Sequence, residues 1–448
     1  MAELLETESG RLAVVAEANE VRGRRSIRDW AAVIALGLMF FMVTKGPVFR
    51  IRLDAAPLSG DFIDDRWIQT AFVAIAVIVT LLSWSSARRL ARDRVVAGTY
   101  AVFLTMVLMS TIWSVDRSRT FEQGLMMIFG TVAALLAGTY LRRLDTLVAL
   151  WAAMQLGVIV SVFALIRDWS LATDANGDFA GIYFNRNSLG PVAVLAAVTS
   201  GMLAVLLLRS RQLLGAMFLL TVAGVDLAVW WKTDSLTPAG SFIAAALMVG
   251  VFALFLPGAG AARRRRIGRA TAVVSALTFT TLVVAWTRIA GELNRSTNLS
   301  GRTVIWDVVT DFVNQRPVQG WGFMAIWSQE SIFKALWLRE HVVFEAHSGY
   351  FEVLVGVGIM GLVALLAVIG VTIWRTGRRC FQNPDLLAFY ALVLSVFVVI
   401  INTGESYVGA NLLPWTLFAV VAGQVSVGAV DQRYQCMVAP TRIEGLRG

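Results

Sequence analysis

Only two histidines occur in this chain, and both lie in one polar stretch between apolar segments. His347 directly precedes an apolar segment, and Glu345 lies two residues before it. An imidazole, whose ordinary pKa is about 6.5, can accept a proton near neutral pH. General base catalysis of this kind typically accelerates a reaction about 10²–10⁴-fold. The alternative for His347, from its position alone, is an interfacial side chain that caps a helix.

Two arginines are candidates for binding an anionic group, because each stands at the start of a predicted helix. Arg302 lies in the first turn of a short helix, where a cation opposes the helix dipole, so local stability does not explain it. Backbone amides at a helix N-terminus together with a guanidinium form a phosphate site. Arg186 has the same placement, and Arg288 is a weaker addition to the same positive lining. The alternative for each is an arginine that extends to the lipid headgroups.

Neither a metal ion nor another cofactor is expected from the sequence. The two cysteines, Cys380 and Cys436, are far apart and predict no disulfide and no metal site. The stretch from Asp174 to Asp178 resembles the start of a calcium loop. Its glycine is misplaced for that motif, and Asn185 stands where the loop requires Glu. We interpret this stretch as a turn.

The elements that position these residues are membrane helices. The chain has 448 residues, of which 57% are hydrophobic and 15% charged, and a mean hydropathy of +0.69, too apolar for a soluble domain. Apolar runs of about 20 residues recur along it, as transmembrane helices require. The fold class is therefore an all-α polytopic membrane protein with about twelve transmembrane helices. We place them at residues 30–48, 68–86, 95–112, 122–141, 147–166, 188–208, 212–231, 240–257, 270–288, 349–373, 386–403 and 412–429.

Arginine clusters predict the orientation of these spans. Dense clusters such as Arg88-Arg89, Arg263 to Arg266 and Arg378-Arg379 all fall on one side of the predicted bundle. Cytoplasmic loops carry such an excess, which also accounts for the net charge of +9 without a nucleic-acid partner. Both termini are thus predicted to be cytoplasmic, in a multi-pass membrane protein. The predicted organisation is an N-terminal tail (1–29), nine spans (30–289), an extracytoplasmic loop (290–348), three spans (349–429) and a C-terminal tail (430–448).

The long outer loop is predicted to be structured. Val304, Ile305, Val308, Val309 and Phe312 form an apolar stripe at helical spacing. Asp307, Thr310, Asp311 and Asn314 face the opposite way. Ser300 is the predicted N-cap and Pro317 ends the helix. Such an amphipathic helix can lie in the headgroup plane, where a lipid-linked substrate is presented.

Several motifs of the outer loops follow one another in a recognisable order. The strongest is Glu345-Ala346-His347-Ser348-Gly349-Tyr350, continued by Gly358-Ile359-Met360-Gly361. Two upstream segments accompany it: Ser300-Gly301-Arg302-Thr303-Val304-Ile305-Trp306 and Arg316-Pro317-Val318-Gln319-Gly320-Trp321-Gly322-Phe323. Weaker matches are Trp113-Ser114-Val115-Asp116, Phe184-Asn185-Arg186-Asn187-Ser188-Leu189-Gly190 and Ser235-Leu236-Thr237. With this ordered set, the chain resembles the bacterial O-antigen ligase and O-antigen or exopolysaccharide polymerase family.

The resemblance implies a GT-C-like membrane glycosyltransferase. Transfer would be inverting and metal-independent, from an undecaprenyl-pyrophosphate-linked oligosaccharide. His347 would act as base on the acceptor hydroxyl, and Arg302 with Arg186 would hold the pyrophosphate, supported by Glu345 and Tyr350. Two departures from the family pattern are Ser348, where Asn is commoner, and Asn185-Arg186, where His or Lys usually precedes Asn.

The identity of the acceptor stays open at this stage. Polymerase, ligase and protein O-oligosaccharyltransferase share donor and fold, and the acceptor would be a glycan or a lipid A core. By resemblance, the tryptophans and the Gly-Trp-Gly-Phe stretch are similar to those of an exopolysaccharide-type polymerase, for which a chain-length regulator is a candidate partner beside the membrane lipids. The rival class is a twelve-helix secondary transporter or flippase, which predicts related halves and binding groups at the bilayer midplane. A scaffold protein would leave the surface histidine and arginines unexplained.

Overall fold

Helices make up most of the described structure, a computed structural model, and the one β-type pairing among the described residues is an isolated bridge between Thr173 and Phe179. The described residues are 25–44, 66–174, 177–183, 185–255, 269, 273, 277, 302–329, 332, 345–382, 385–408 and 413–426. Their α-helices, in chain order, are α1 (Ile27–Met42), α2 (Arg66–Ser83), α3 (Ala87–Arg92), α4 (Arg94–Met109), α5 (Arg117–Tyr140), α6 (Arg143–Arg167), α7 (Trp169–Ala172), α8 (Arg186–Arg209), α9 (Leu213–Lys232), α10 (Thr237–Phe255), α11 (Arg302–Gln315), α12 (Gly349–Gln382), α13 (Leu386–Ile401) and α14 (Leu413–Ser426).

Seven candidate membrane spans are long and apolar enough to cross a bilayer within the described part of the chain. They are Arg66–Arg92, Arg94–Ile112, Arg117–Tyr140, Arg143–Arg167, Arg186–Arg209, Leu213–Lys232 and Gly349–Gln382. Shorter apolar helices cover Thr237–Val251, Leu386–Ile401 and Leu413–Ser426. The prediction of an all-α polytopic membrane protein is confirmed. The predicted span 270–288 lies largely outside the described residues, while each other predicted span coincides with a helix, so the number twelve stays a prediction.

Helices α5 and α14 pack backbone against backbone through small residues. A Cβ added to Gly138 would lie 2.0 Å from the carbonyl oxygen of Val420, and one added to Gly423 would lie 2.2 Å from that of Leu135. Close approach at small residues is typical of helix pairs in membranes, where van der Waals packing replaces the hydrophobic effect. The contact fixes α14, whose N-terminus forms part of the site described below.

The amphipathic helix predicted in the outer loop is α11. Its buried residues are Ile305, Val308, Val309 and Phe312, as the apolar stripe predicted, and the opposite polar residues are exposed. The helix ends at Gln315, two residues before Pro317, whereas the predicted N-cap Ser300 lies outside the described residues. Trp306 stacks on Phe351 of α12, with ring centroids 5.7 Å apart. Tertiary packing thus attaches α11 to the start of α12.

A glycine break divides α12, and the backbone of another loop occupies the break. Gly358 has φ 76° and ψ −172°, a conformation that only glycine adopts without strain. The carbonyls of Val355 and Gly356 accept hydrogen bonds from the amides of Trp321 (2.9 Å) and Gly322 (2.8 Å). A Cβ on Gly358 would lie 2.1 Å from the carbonyl oxygen of Val318. Gly358 therefore admits a loop into α12, and its absent side chain does not serve the packing of one helix against another.

Replacing Gly358 by alanine is expected to destabilise the protein and to loosen the 316–323 loop. The positive-φ extended conformation of Gly358 alone costs about 1–3 kcal/mol for an L-residue, and the Val318 carbonyl must also move. Thermal unfolding of the detergent-purified variant measures the loss. Gly370→Ala is the matched control on the same helix, since a Cβ there meets nothing within 4 Å. Equal melting temperatures for the two variants would contradict this account of the break.

Candidate functional site

The ends of several helices converge on one open cleft of about 430 Å³. Its walls come from the C-terminal end of α1, the N-termini of α8 and α14, the segment before α12 and the loop after α13. The lining residues are Val43, Thr44, Asn185, Asn187, Ser188, Pro191, Val192, Glu345, His347, Glu405, Tyr407, Leu413 and Pro414. The cleft thus combines apolar walls with a cluster of ionisable side chains, as a site for an amphipathic substrate requires.

The Nδ1 edge of the His347 imidazole lies close to two carboxylates. Its Nδ1 atom lies 3.4 Å from Oε1 of Glu345 and 3.8 Å from Oε2 of Glu405. These are charge-pair distances, and no aligned hydrogen bond satisfies the buried Nδ1 among the described groups. Carboxylates on the Nδ1 side favour the tautomer that carries its proton there. The Nε2 lone pair is then available to another molecule.

The pKa of His347 is raised by the charges around it. Burial opposes the charged imidazolium, but the carboxylates of Glu405 and Glu345 outweigh burial and the repulsion from Arg302, so the net pKa lies above its ordinary value. Glu345 and Glu405 thus stabilise the proton that His347 would accept. A base that is stabilised in its protonated form by carboxylates at the opposite ring nitrogen is the arrangement that proton abstraction requires.

Arg302 is held beside this histidine by an ion pair with Glu405. The Nη2 atom lies 2.6 Å from Oε1 of Glu405, and the side chains are only 13% and 8% exposed. Gly404 leaves room for the guanidinium, because a Cβ there would lie 2.7 Å from Nη1. The pair connects the first residue of α11 with a loop 103 positions further along the chain. Arg302 and His347 therefore both contact Glu405, which places the two predicted site residues close together.

Glu405 is the site residue that sequence reasoning missed. The signal was available: it is the acidic residue in the short loop between two apolar spans, on the side assigned to His347. A single carboxylate in a loop is unremarkable by itself. Its significance comes from its two oxygens, one directed at Arg302 and the other at His347.

The segment around Arg186 lines the same cleft, but Arg186 itself has another partner. Its guanidinium lies 3.1 Å from Asp178, within the turn predicted for 174–178. Hydrogen bonds from Asp174 N to Asp178 O (2.9 Å) and from Gly177 N to Asp174 O (3.0 Å) confirm that turn. The flanking Asn185 and Asn187 are the cleft-lining residues. Arg186 is thus adjacent to the site, although its side chain is held at the rim.

Tyr350, another predicted site residue, lies away from the cleft. Its hydroxyl donates to the carbonyl of Val399 (2.8 Å), and Tyr350 lines a separate, smaller cavity between α12, α13 and α14. The structure therefore supports a packing role for Tyr350. The predicted site residue Arg288 lies outside the described residues, as does the second histidine, His341.

The weaker motifs meet in pairs around the site. The Trp113 indole donates to Gln319 O (2.6 Å) and Val115 N donates to Trp321 O (3.1 Å), which joins the Trp-Ser-Val-Asp motif to the Gly-Trp-Gly-Phe loop. Ser235 donates to the Oδ1 atom of Asn187 (3.1 Å). These motif residues thus support the backbone of the cleft, and only part of the ordered set lines it.

Among the described residues, one group has the composition of a metal site. The candidate ligand atoms of Glu345, His347 and Glu405 all lie within 4.8 Å of one another. No such group was predicted in the outer loops, because the sequence does not indicate that Glu405 lies beside His347. Arg302 already occupies one oxygen of Glu405, so a cation would compete with a guanidinium for the same carboxylate. The absence of a metal from the chemistry accordingly stays a proposal.

The fold and the site define a polytopic membrane protein with a histidine, two carboxylates and an arginine where its helix ends converge. Comparison with known proteins shows which proteins the chain is similar to. Residues 179–366 match the family described as O-Antigen ligase. The chain is also 24% identical over 367 residues to the exopolysaccharide production protein ExoQ of Rhizobium meliloti (strain 1021), covering 72% of this chain and 78% of the relative. The two findings support the O-antigen ligase and polymerase family for this chain, which confirms the resemblance, and they imply a role of the glycosyl-transfer type.

Proposed function

We propose that the protein transfers a glycan from an undecaprenyl-pyrophosphate-linked donor to the hydroxyl of an acceptor sugar. The observation that carries the proposal is the contact of Glu405 with both His347 and Arg302: His347 and Glu405 line the cleft, and Arg302 is bound to Glu405 beside it. The arrangement pairs a candidate general base with a fixed cation. Such a pair suits a displacement that removes one proton and releases one anion.

The step begins at the acceptor hydroxyl. Nε2 of His347 takes the proton while the acceptor oxygen forms a bond to the anomeric carbon of the donor. The bond from that carbon to the pyrophosphate oxygen breaks, and the polyprenyl pyrophosphate departs with the electron pair. A single displacement of this kind inverts the configuration at the anomeric carbon. Glu345 and Glu405 stabilise the imidazolium that results.

Arg302 stabilises the departing pyrophosphate. Its Nη2 atom is bound to Glu405, which leaves other N–H groups of the planar fork for phosphate oxygens. A cation that is fixed in advance in a mostly buried site stabilises developing charge without reorganising at the moment of reaction. Arg186 lies at the rim, where exchange of its Asp178 partner for a phosphate oxygen would add a second cation.

Within the family, the exopolysaccharide relative favours a polymerase, which extends a glycan, over a ligase, which transfers one to a lipid A core. An open cleft with apolar walls accommodates a lipid-linked donor together with a sugar acceptor. Protein O-oligosaccharyltransfer is the remaining acceptor class within the same chemistry. A transporter has less support, because the clustered ionisable groups lie at helix ends.

The transfer site is proposed to face outward from the bacterial inner membrane, with both termini cytoplasmic. We expect an impermeant thiol reagent to label Ser328→Cys on intact cells, since Ser328 is exposed in the loop before α12. Arg378→Cys, exposed at the opposite end of α12, should react only after permeabilisation. Both variants would be made without Cys380 and Cys436. Labelling of Arg378→Cys alone on intact cells would reverse the orientation.

The proposed function is tested by incubating the purified protein with a polyprenyl-pyrophosphate oligosaccharide donor and a glycan acceptor. Longer glycans and released polyprenyl pyrophosphate are the expected products, and a chelator should leave the rate unchanged. Inhibition by the chelator, reversed by one divalent metal, would assign Glu345, His347 and Glu405 to a metal instead. The absence of transfer to any glycan, lipid A core or protein acceptor would overturn the proposal.

A further inference from the structure

A buried carboxylate lies directly behind the proposed base. Glu352, in the first turn of α12, is only 2% exposed. Its Oε1 atom accepts hydrogen bonds from the Ala346 amide (2.5 Å) and the Ser406 hydroxyl (3.1 Å). Its Oε2 atom accepts from the Trp327 indole (2.8 Å). One side chain thus binds donors from three separate segments of the chain.

These donors surround His347 and Glu405. Ala346 precedes His347, and Ser406 follows Glu405. The Ser406 hydroxyl also accepts a hydrogen bond from Ser348 N (3.0 Å), the residue after His347. Both neighbours of the proposed base are therefore connected to Glu352, one directly and one through a serine that belongs to the Glu405 loop.

The backbone at His347 needs such restraint. Its φ of 49° lies in the left-handed region, which a non-glycine residue occupies only at a cost in free energy. A strained conformation persists when surrounding contacts over-determine it. Two further bonds assist: the Trp306 indole donates to Ala346 O (2.9 Å), and Gly349 N donates to Glu405 O (3.0 Å).

Packing alone does not explain a carboxylate at this position. The hydrogen-bond partners of Glu352 in the described structure are neutral, and burying an ion without an opposite charge is costly in free energy. A glutamine of the same shape would avoid that cost, but its amide nitrogen is a donor. Only a carboxylate accepts at both oxygens, as the three converging donors require.

We infer that Glu352 is a positioning residue. By accepting these three hydrogen bonds it holds the segments of His347 and Glu405 in their relative positions. The inference rests on the proposed function, in which His347 is the base. Glu352 touches neither substrate in this account, and it acts through the backbone of the His347 segment and through Ser406.

The test uses Glu352→Gln, which keeps the shape of the side chain. Its amide nitrogen is a donor and would face one of the donors that the carboxylate accepts from. In the full-length protein, kcat should fall at least about tenfold while KM for the donor stays nearly unchanged, because a misplaced base affects the chemical step. Trp327→Phe removes the indole that donates to Oε2. In the double variant Glu352→Gln with Trp327→Phe, the glutamine amide nitrogen can therefore take the position of Oε2 without facing another donor. We expect the double variant to recover several-fold over Glu352→Gln, and Trp327→Phe alone to have the smaller effect.

A second measurement does not depend on glycan transfer. In a His341→Ala background, His347 is the single histidine, and its titration can be followed by NMR or by its reaction with diethyl pyrocarbonate. The charged groups that face it are Glu345, Glu405 and Arg302. Displacement of the imidazole from its carboxylates in Glu352→Gln should lower its pKa toward the ordinary value, and the double variant should restore it.

The outcomes separate a positioning role from a structural one. Wild-type kcat and titration in Glu352→Gln would overturn the inference. So would a loss of activity that follows a loss of folded protein and is not recovered in the double variant. A shift in the His347 titration that the double variant reverses would support the inference. If no glycan transfer were detected in the same experiments, the proposed function would be contradicted while the positioning role of Glu352 would stand.

Discussion

Replacing His347 by alanine is expected to abolish glycan transfer while leaving the helix bundle folded. The side chain is the proposed base, and general base catalysis is worth about 10²–10⁴-fold in rate. Its removal leaves the Glu345 and Glu405 carboxylates together, but Glu405 keeps Arg302 as its partner. The rate of transfer from a purified donor, measured on protein that is monodisperse in detergent, gives the result. His341→Ala is the control and should retain substantial activity.

The pH profile adds a more specific expectation for the same residue. Since the base acts in its neutral form, activity should fall as the pH drops through a His347 pKa that lies above its ordinary value. Glu345→Gln removes one of the carboxylates that raise this pKa, so the acid limb should move to lower pH. A folded, fully active His347→Ala protein would remove His347 as the base, and an unmoved acid limb in Glu345→Gln would remove Glu345 from the account.

Replacing Arg302 by lysine is expected to slow transfer at least about tenfold, or ~1.4 kcal/mol in activation free energy, without impairing insertion. Lysine keeps the charge as a compact ammonium, whereas arginine presents a planar fork. The fork can bind Glu405 with one nitrogen and phosphate oxygens with others, which an ammonium on a flexible stem does less well. Removal of one fixed donor in a preorganised site costs on the order of 10²–10³ in rate.

The lysine variant is preferable to alanine for a structural reason. Arg302→Ala leaves the mostly buried Glu405 without its partner, and breaking a buried ion pair costs about 3–5 kcal/mol of stability, so lost activity would be ambiguous. Transfer is compared at saturating acceptor with Arg316→Lys as control, whose guanidinium lies over the Trp321 ring away from the cleft. Equal rates for wild type and Arg302→Lys would assign Arg302 to the lipid interface and shift the pyrophosphate site toward Arg186 and Arg288.

Helical periodicity, apolar length and motif order were sufficient to predict the elements of this protein. The membrane helices, the buried stripe of α11 and the turn at 174–178 all follow from residues close together in the sequence, because a helix face or a turn is a local property. The resemblance to the O-antigen ligase and polymerase family also followed from the sequence, since the motifs that carry it are short and ordered. These features needed no knowledge of which helices are neighbours.

The arrangement of the site was decided by tertiary packing. Glu405 reaches Arg302 across 103 positions, and Glu352 binds the segments that carry His347 and Glu405. Gly358 is not a helix-packing residue but the place where a loop enters α12, and the Tyr350 side chain contacts α13. Periodicity determines which face of a helix is apolar, but it contains no information on which distant loop meets that face. Contacts between ionisable groups in those loops depend on how the whole bundle packs. The sequence placed Glu345 beside His347, but the approach of Glu405 to His347 and Arg302 could be found only in the folded chain.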